Sequence, residues 1–116
     1  MTRRLQGRYE LQLEDDKCSF DDAIGMIGNW RRRGPTYEIP LRCLTGVTTR
    51  NLITAGRCIS AASAWDQTRA IPACAVTGQA AGTAAALFVE QQLSDWSELD
   101  YSLLKTALLQ NDVILT

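Results

Sequence analysis

The chain has 116 residues, 46% hydrophobic and 22% charged, which suits one small soluble globular domain with a modest core. Its 12 Lys and Arg against 13 Asp and Glu give a net charge of −1, so no field gathers nucleic acid or anionic lipid, and neither is expected as a partner. Histidine is absent, and Cys18, Cys43, Cys58 and Cys74 are too widely spaced for a Cys-x-x-Cys pair; a metal site is not expected, and the commonest general base is missing.

The chain opens Met1-Thr2-Arg3-Arg4 and runs into polar sequence without an apolar h-region, so no secretory signal is expected. That points to a cytoplasmic protein whose reduced thiols act as small buried residues. From Arg4 to Leu13, Leu5, Tyr9, Leu11 and Leu13 alternate with polar residues, the period of a half-buried strand or short hairpin, with Gly7 marking a bulge or turn. After the polar turn Glu14 to Lys17, the stretch Ser19 to Gly25 reads as a short helical turn or loop, with Ser19 placed to cap it. Trp30-Arg31-Arg32-Arg33-Gly34-Pro35 reads as a loop, and three adjacent arginines before Gly-Pro suit a solvated face better than a phosphate site.

Tyr37 to Arg42 is extended by pattern, and Pro40 argues for an edge or crossover strand. Asn51-Leu52-Ile53-Thr54-Ala55-Gly56 has the short apolar run and closing glycine of a buried parallel strand. Pro72 to Gln92 is predicted as a long helix, because proline suits a first turn where its missing N–H has no partner to lose. Leu99, Leu103, Leu104, Ala107 and Leu108 predict a second, amphipathic helix ending near Gln110 and Asn111. Val113-Ile114-Leu115 is a last strand or a docked tail.

The long helix is made largely of small residues, and its internal Gly78 and Gly82 each cost about 1 kcal/mol relative to alanine. They stand four apart with Ala81 and Ala85, leaving one side nearly smooth, fit for close approach by a backbone, a sheet or a flat cofactor. Thr77, Gln79 and Thr83 interrupt the run, which argues against a membrane span. Periodicity alone leaves a tightly packed helix and a cofactor-facing helix both open. The preceding segment favours the second. A strand ending at Ala55-Gly56-Arg57, then Arg69 and a proline-started helix, places N–H groups and a helix dipole at a strand's C-terminal end, where open α/β sheets bind ligands. Arg57 and Arg69 would add two cations for a negatively polarised group.

These residues resemble a known family. Asn51 to Ser60, then Thr68-Arg69-Ala70-Ile71-Pro72-Ala73-Cys74, then Gly78-Gln79-Ala80-Ala81-Gly82-Thr83-Ala84-Ala85-Ala86, look like the C-terminal flavin-binding signature of FAD-dependent oxidoreductases related to the fumarate reductase and heterodisulfide reductase flavoproteins. Arg3 to Tyr9, Phe20 to Gly25 and Tyr37 to Leu41 resemble the segments preceding that signature, and Leu99 to Leu115 is similar to the closing helix.

The resemblance implies an α/β chain: the C-terminal part of a Rossmann-like FAD-binding domain, with residues 1–38 ending a substrate domain and residues 39–116 re-entering the FAD domain. It implies FAD as cofactor and an unknown small-molecule substrate. Gly56 and Arg57 would lie against the pyrophosphate and ribityl region. Ile71, Pro72 and Ala73 would present the helix start to the pyrimidine edge, with Gly78 permitting close packing behind. Ser60 and Arg69 fall on further positions of the motif. Cys58 and Cys74 fall near the implied flavin, but neither the partner nor the depressed pKa of a redox-active thiol is evident.

No Gly-x-Gly-x-x-Gly follows a strand in this chain, so the adenine-nucleotide half of the site is missing. Weak or no FAD binding is therefore expected of the chain alone, and its expected partner is the nucleotide-binding half or a second copy. No residue presents itself as a catalytic acid or nucleophile. The rival reading is a free-standing interaction or oligomerisation module that buries the smooth helix face without flavin.

Overall fold

The computed structural model describes residues 3–115. Its elements in chain order are strand β1 (Ala23–Gly28), strand β2 (Thr36–Pro40), the four-residue helix α1 (Trp65–Thr68), the long helix α2 (Ile71–Glu90) and helix α3 (Tyr101–Gln110), with short 3-10 turns at Leu13–Asp15, Leu41–Cys43, Gly56–Cys58 and Trp96–Glu98. β1 and β2 form an antiparallel hairpin, with Gly28 opposite Thr36 and Ala23 opposite Pro40. Proline is tolerated at that end because a two-stranded sheet leaves an edge that needs no donor.

The core lies between this hairpin and α2. Ile24, Ile27, Tyr37 and Ile39 from the strands meet Ala73, Ala80 and Ala84 from the helix, and Leu104 and Leu108 of α3 close the other side. The buried positions of α2, Ala73, Thr77, Ala80, Ala81 and Ala84, follow helical spacing. Alanine there lets the two backbones come close. The register of the hairpin shifts between Ala23 and Met26, and in that bulge an added Cβ at Gly25 would lie 2.3 Å from Val76 Cγ1. Only glycine fits so near the helix.

α3 begins where Asp100 accepts the Ser102 N–H at 2.9 Å, an N-cap that satisfies one orphan donor. Its end at Gln110 and the long helix at 71–90 agree with the sequence reading. Residues 113–115 form a docked tail: Val113 donates its N–H to Leu108, and Leu115 is buried. α2 is long and apolar enough to cross a membrane by length and composition, yet its alanine face packs on β1 and Thr77 is buried within that face.

Three expectations are corrected. Of the helical turn or loop expected over Ser19 to Gly25, residues 19–22 are loop, with no helix for Ser19 to cap, and Asp21 and Asp22 turn the chain straight into β1, so Ala23 to Gly25 are strand. The acidic groups serve the hairpin instead, Glu38 accepting the Phe20 N–H at 2.7 Å and Asp22 accepting the Arg42 N–H at 3.1 Å. Arg4 to Leu13 is extended but makes no strand or hairpin. Its N–H groups go to separate segments, Leu5 to Cys58, Tyr9 to Arg42 and Leu11 to Ser60, so no continuous ladder can form.

Leu52 to Ala55 is not a buried parallel strand. Ile53 makes a single antiparallel bridge to Thr45, and Leu52 is 43% exposed. Among the described residues no parallel strand lies beside it, and the one sheet is the β1–β2 pair. A short apolar run becomes a strand only when a neighbour supplies its hydrogen bonds. The chain is therefore a small α/β unit. Residues 38 and 39 are consecutive within β2, and the elements on either side of that point share one core.

Candidate functional site

The start of α2 is built to leave donors open. Its N-cap is Ala70, extended at φ −66° and ψ 151°, which has no side-chain oxygen to offer, and the first turn holds no acidic residue. Cys74 N–H is taken by the Ala70 carbonyl at 2.9 Å, but among the described residues the N–H groups of Ile71 and Ala73 have no partner. Pro72 has none to donate. A 20-residue helix thus starts with two N–H groups that lack a partner, that of Ile71 on an exposed residue and that of Ala73 on a buried one, at the positive end of its dipole.

Gly56 and Arg57 are held beside this helix. Gly56 adopts φ +78°, a left-handed conformation that side-chain-bearing residues resist, and donates its N–H to Thr77 Oγ1 at 2.9 Å. The Thr77 hydroxyl in turn donates back to Ala73 or Cys74, each carbonyl 3.2 Å away. Arg57 is exposed and joins no ion pair among the described residues.

Arg69 is fixed differently. Its Nε donates to Asp66 Oδ1 at 2.9 Å, and its guanidinium carbon lies 5.4 Å and 5.3 Å from the ring centroids of Trp30 and Trp65. Asp66 also accepts from Arg31 Nε at 2.6 Å, while Trp30 Nε1 donates to the Asp66 carbonyl at 2.8 Å. These contacts strap the β1–β2 loop onto α1. Hydrogen bonds from Arg31 and then Arg69 hold the Asp66 carboxyl below its ordinary range.

The structure brings Gly56, Arg57, Ile71, Pro72 and Ala73 to one end of α2, with Arg69 in the turn before it. It does not bring Ser60 there. Ser60 is 1% exposed, donates its N–H to Cys43 and packs on Gly7, where an added Cβ would lie 2.6 Å from Ser60 Cβ. Gly78 points outward with nothing within 4 Å of the Cβ it lacks, as does Gly82, so neither is a point of close packing within the described residues.

Cys74 Sγ lies 3.7 Å from the Arg69 carbonyl, Cys58 Sγ lies 3.4 Å from the Ala55 carbonyl, and all four cysteines are free. Burial pushes the Cys43 thiol up to about 12, which makes it inert.

Two residues of the site carry no sequence signal of their role. Thr77 reads as a polar interruption of an alanine run, and its bond to Gly56 spans 21 positions. Gln67 is 5% exposed, and its Oε1 is buried without a partner. It lines a cleft of about 290 Å³ between the end of β1 and the start of α2.

A family model described as FAD dependent oxidoreductase matches residues 2–108. Comparison with curated proteins and with solved structures returns no match.

Proposed function

The chain belongs to the FAD dependent oxidoreductase family, and on that basis we propose that it supplies the flavin-facing side of an FAD site whose nucleotide-binding half is contributed from outside these 116 residues. The carrying observation is the uncapped start of α2, with the free N–H groups of Ile71 and Ala73 beside Gly56 and Arg57. That donor set fits the pyrimidine edge of an isoalloxazine, whose carbonyls and reduced-state negative charge suit N–H groups and a helix N-terminus. It does not fit the adenosine end, for which the chain has no glycine-rich phosphate loop.

Flavin, when bound, supplies the two-electron chemistry of such enzymes. The residues here bind and orient. Ile71 and Ala73 N–H groups would donate to a ring carbonyl, and the α2 dipole would favour negative charge on the reduced ring. Thr77 pins Gly56 so that Arg57 stands at the same end as a phosphate-binding cation. Asp66 and two indoles hold Arg69 in place, partly neutralised.

Kinship with the fumarate reductase and heterodisulfide reductase flavoproteins, a Rossmann-like parent, the 1–38 and 39–116 division and a cytoplasmic location belong to the same proposal. One observation also speaks for the interaction-module reading. The outer face of α2 leaves Ile71 81% and Val89 74% exposed, with Gly78 and Gly82 open between them. We assign that face to the nucleotide-binding half, because the free donors at its N-terminal end call for a polar ligand that simple helix pairing does not supply.

Titration of the isotope-labelled chain with FAD tests this. Saturable amide shifts confined to Gly56, Arg57, Ile71, Ala73 and Cys74 are expected at high micromolar to millimolar flavin. A chain that self-associates through α2 and shows no flavin-dependent shift there would favour the interaction module.

A further inference from the structure

We propose that the groove between α3, the docked tail and the segment leading into β1 binds a free primary alkylamine, its ammonium head on the Glu38 carboxylate and its chain along the apolar wall. Strand geometry puts Glu38 on that side. Tyr37 and Ile39 turn into the core, so Glu38 between them points to the opposite face of the hairpin. Residues 17–20 are laid over it there: Lys17 donates its N–H to the Thr36 carbonyl at 2.7 Å, and Phe20 donates its own to Glu38 Oε2 at 2.7 Å. Glu38 is left 5% exposed.

A carboxylate so buried is ordinarily paired. This one joins no ion pair among the described residues. Its Oε1 accepts no hydrogen bond there either, yet it is not sealed, since the sealed side-chain atoms without a partner are Trp65 Nε1, Gln67 Oε1 and Trp96 Nε1. Glu38 borders two clefts. The smaller, about 220 Å³, offers little apolar wall beyond Met26. The larger, about 710 Å³, adds Phe20, Tyr101, Val113, Ile114 and Leu115, with Ser19, Asp21 and Lys105 exposed around it. No residue of α2 lines this groove, and amine binding there requires no flavin.

The chemistry selects the guest. A metal ion needs several ligands, and no group of three acidic or thiol side chains converges among the described residues. A guanidinium fork uses both carboxylate oxygens, one of which already takes the Phe20 N–H. An ammonium needs only the other, and the wall beyond suits an aliphatic chain. A lysine of another chain would lay its polar backbone against Leu109 and Ile114, which are 50% and 67% exposed, whereas a free amine ends in a methyl group.

The test titrates the full isotope-labelled chain with hexylamine, hexanol and Nα-acetyllysine methylamide. Hexylamine, charged at neutral pH, is expected to bind in the millimolar range and about tenfold tighter than hexanol, the effect of one charge-assisted hydrogen bond. It should shift the Phe20 amide, whose N–H shares the Glu38 carboxylate. In Glu38→Gln, which keeps an acceptor for Phe20 and is checked for a folded amide spectrum, hexylamine and hexanol should bind alike. Lys105→Gln removes a like charge at the mouth and should tighten hexylamine binding.

Equal affinity of hexylamine and hexanol for the unaltered chain, or no binding by hexylamine, would overturn the site, and both are read even if Glu38→Gln unfolds. Weaker hexylamine binding in Lys105→Gln would also overturn it, because a cation gains nothing from Lys105. Tighter binding of the lysine derivative than of hexylamine would overturn the free amine as occupant.

Discussion

Thr77 shows how one hydroxyl positions a site. It accepts the Gly56 N–H at 2.9 Å and donates within α2, and it is fully buried. Thr77→Val keeps the shape and removes both bonds, leaving the Gly56 N–H without its acceptor. A loss of roughly 1–3 kcal/mol in urea unfolding is expected, together with faster hydrogen exchange at Gly56. Unchanged exchange there would show that the loop does not hang on this bond. Thiol chemistry gives a second check: the exposed Cys18 and Cys58 should react first with a maleimide, Cys74 more slowly, and Cys43 only on unfolding, since burial raises its pKa to about 12. At this scale the backbone conformation of Gly56 and the helix start at Ile71 to Ala73 were legible, because glycine and proline announce backbone requirements locally. Thr77, Gln67 and the burial of Ser60 were not, since each depends on a partner distant in sequence.

At the scale of elements, the glycines of β1 and α2 predict opposite responses. Gly25→Ala would drive a Cβ to within 2.3 Å of Val76 Cγ1, and overpacking of that kind costs about 1–3 kcal/mol. Gly78→Ala and Gly82→Ala meet nothing within 4 Å and should each stabilise the isolated chain by up to about 1 kcal/mol through helix propensity. Thermal unfolding of the three variants reads both signs.

The strap from the β1–β2 loop to α1 carries a pH signature. Arg31 and Arg69 depress the folded pKa of Asp66, so its contribution is complete above the unfolded carboxylate value of about 4 and is lost as pH falls through the lower folded value. Trp30 emission should therefore change on acidification, and Asp66→Asn should already show the acid-state signal at neutral pH.

The two longer helices were legible because α2 opens on Pro72 and α3 repeats leucine at helical spacing, both local signals. Of the strands, Thr36–Pro40 was legible as the extended stretch from Tyr37 with its edge-marking Pro40, whereas Ala23–Gly28 was not: it became a strand by pairing with Thr36–Pro40, while Leu52 to Ala55, with the better strand composition, made only the single Ile53–Thr45 bridge.

Taken as a whole molecule, the chain packs one face of α2 and leaves the other open, with Ile71, Val89 and two glycines exposed along a 20-residue helix. A surface of that character is a contact waiting for a partner, and concentration-dependent association is expected in sedimentation, weakened by Val89→Glu. The family match over residues 2–108 makes the chain an FAD dependent oxidoreductase family member, and under the proposed function that open face is assigned to a nucleotide-binding unit outside these residues. The claim that this chain carries only the isoalloxazine side is tested most directly by comparing its affinities for FAD and riboflavin in one fluorescence titration. The account predicts that both bind weakly and within about threefold of each other, because the adenosine moiety finds no site here. FAD binding tenfold or more tighter than riboflavin would contradict it.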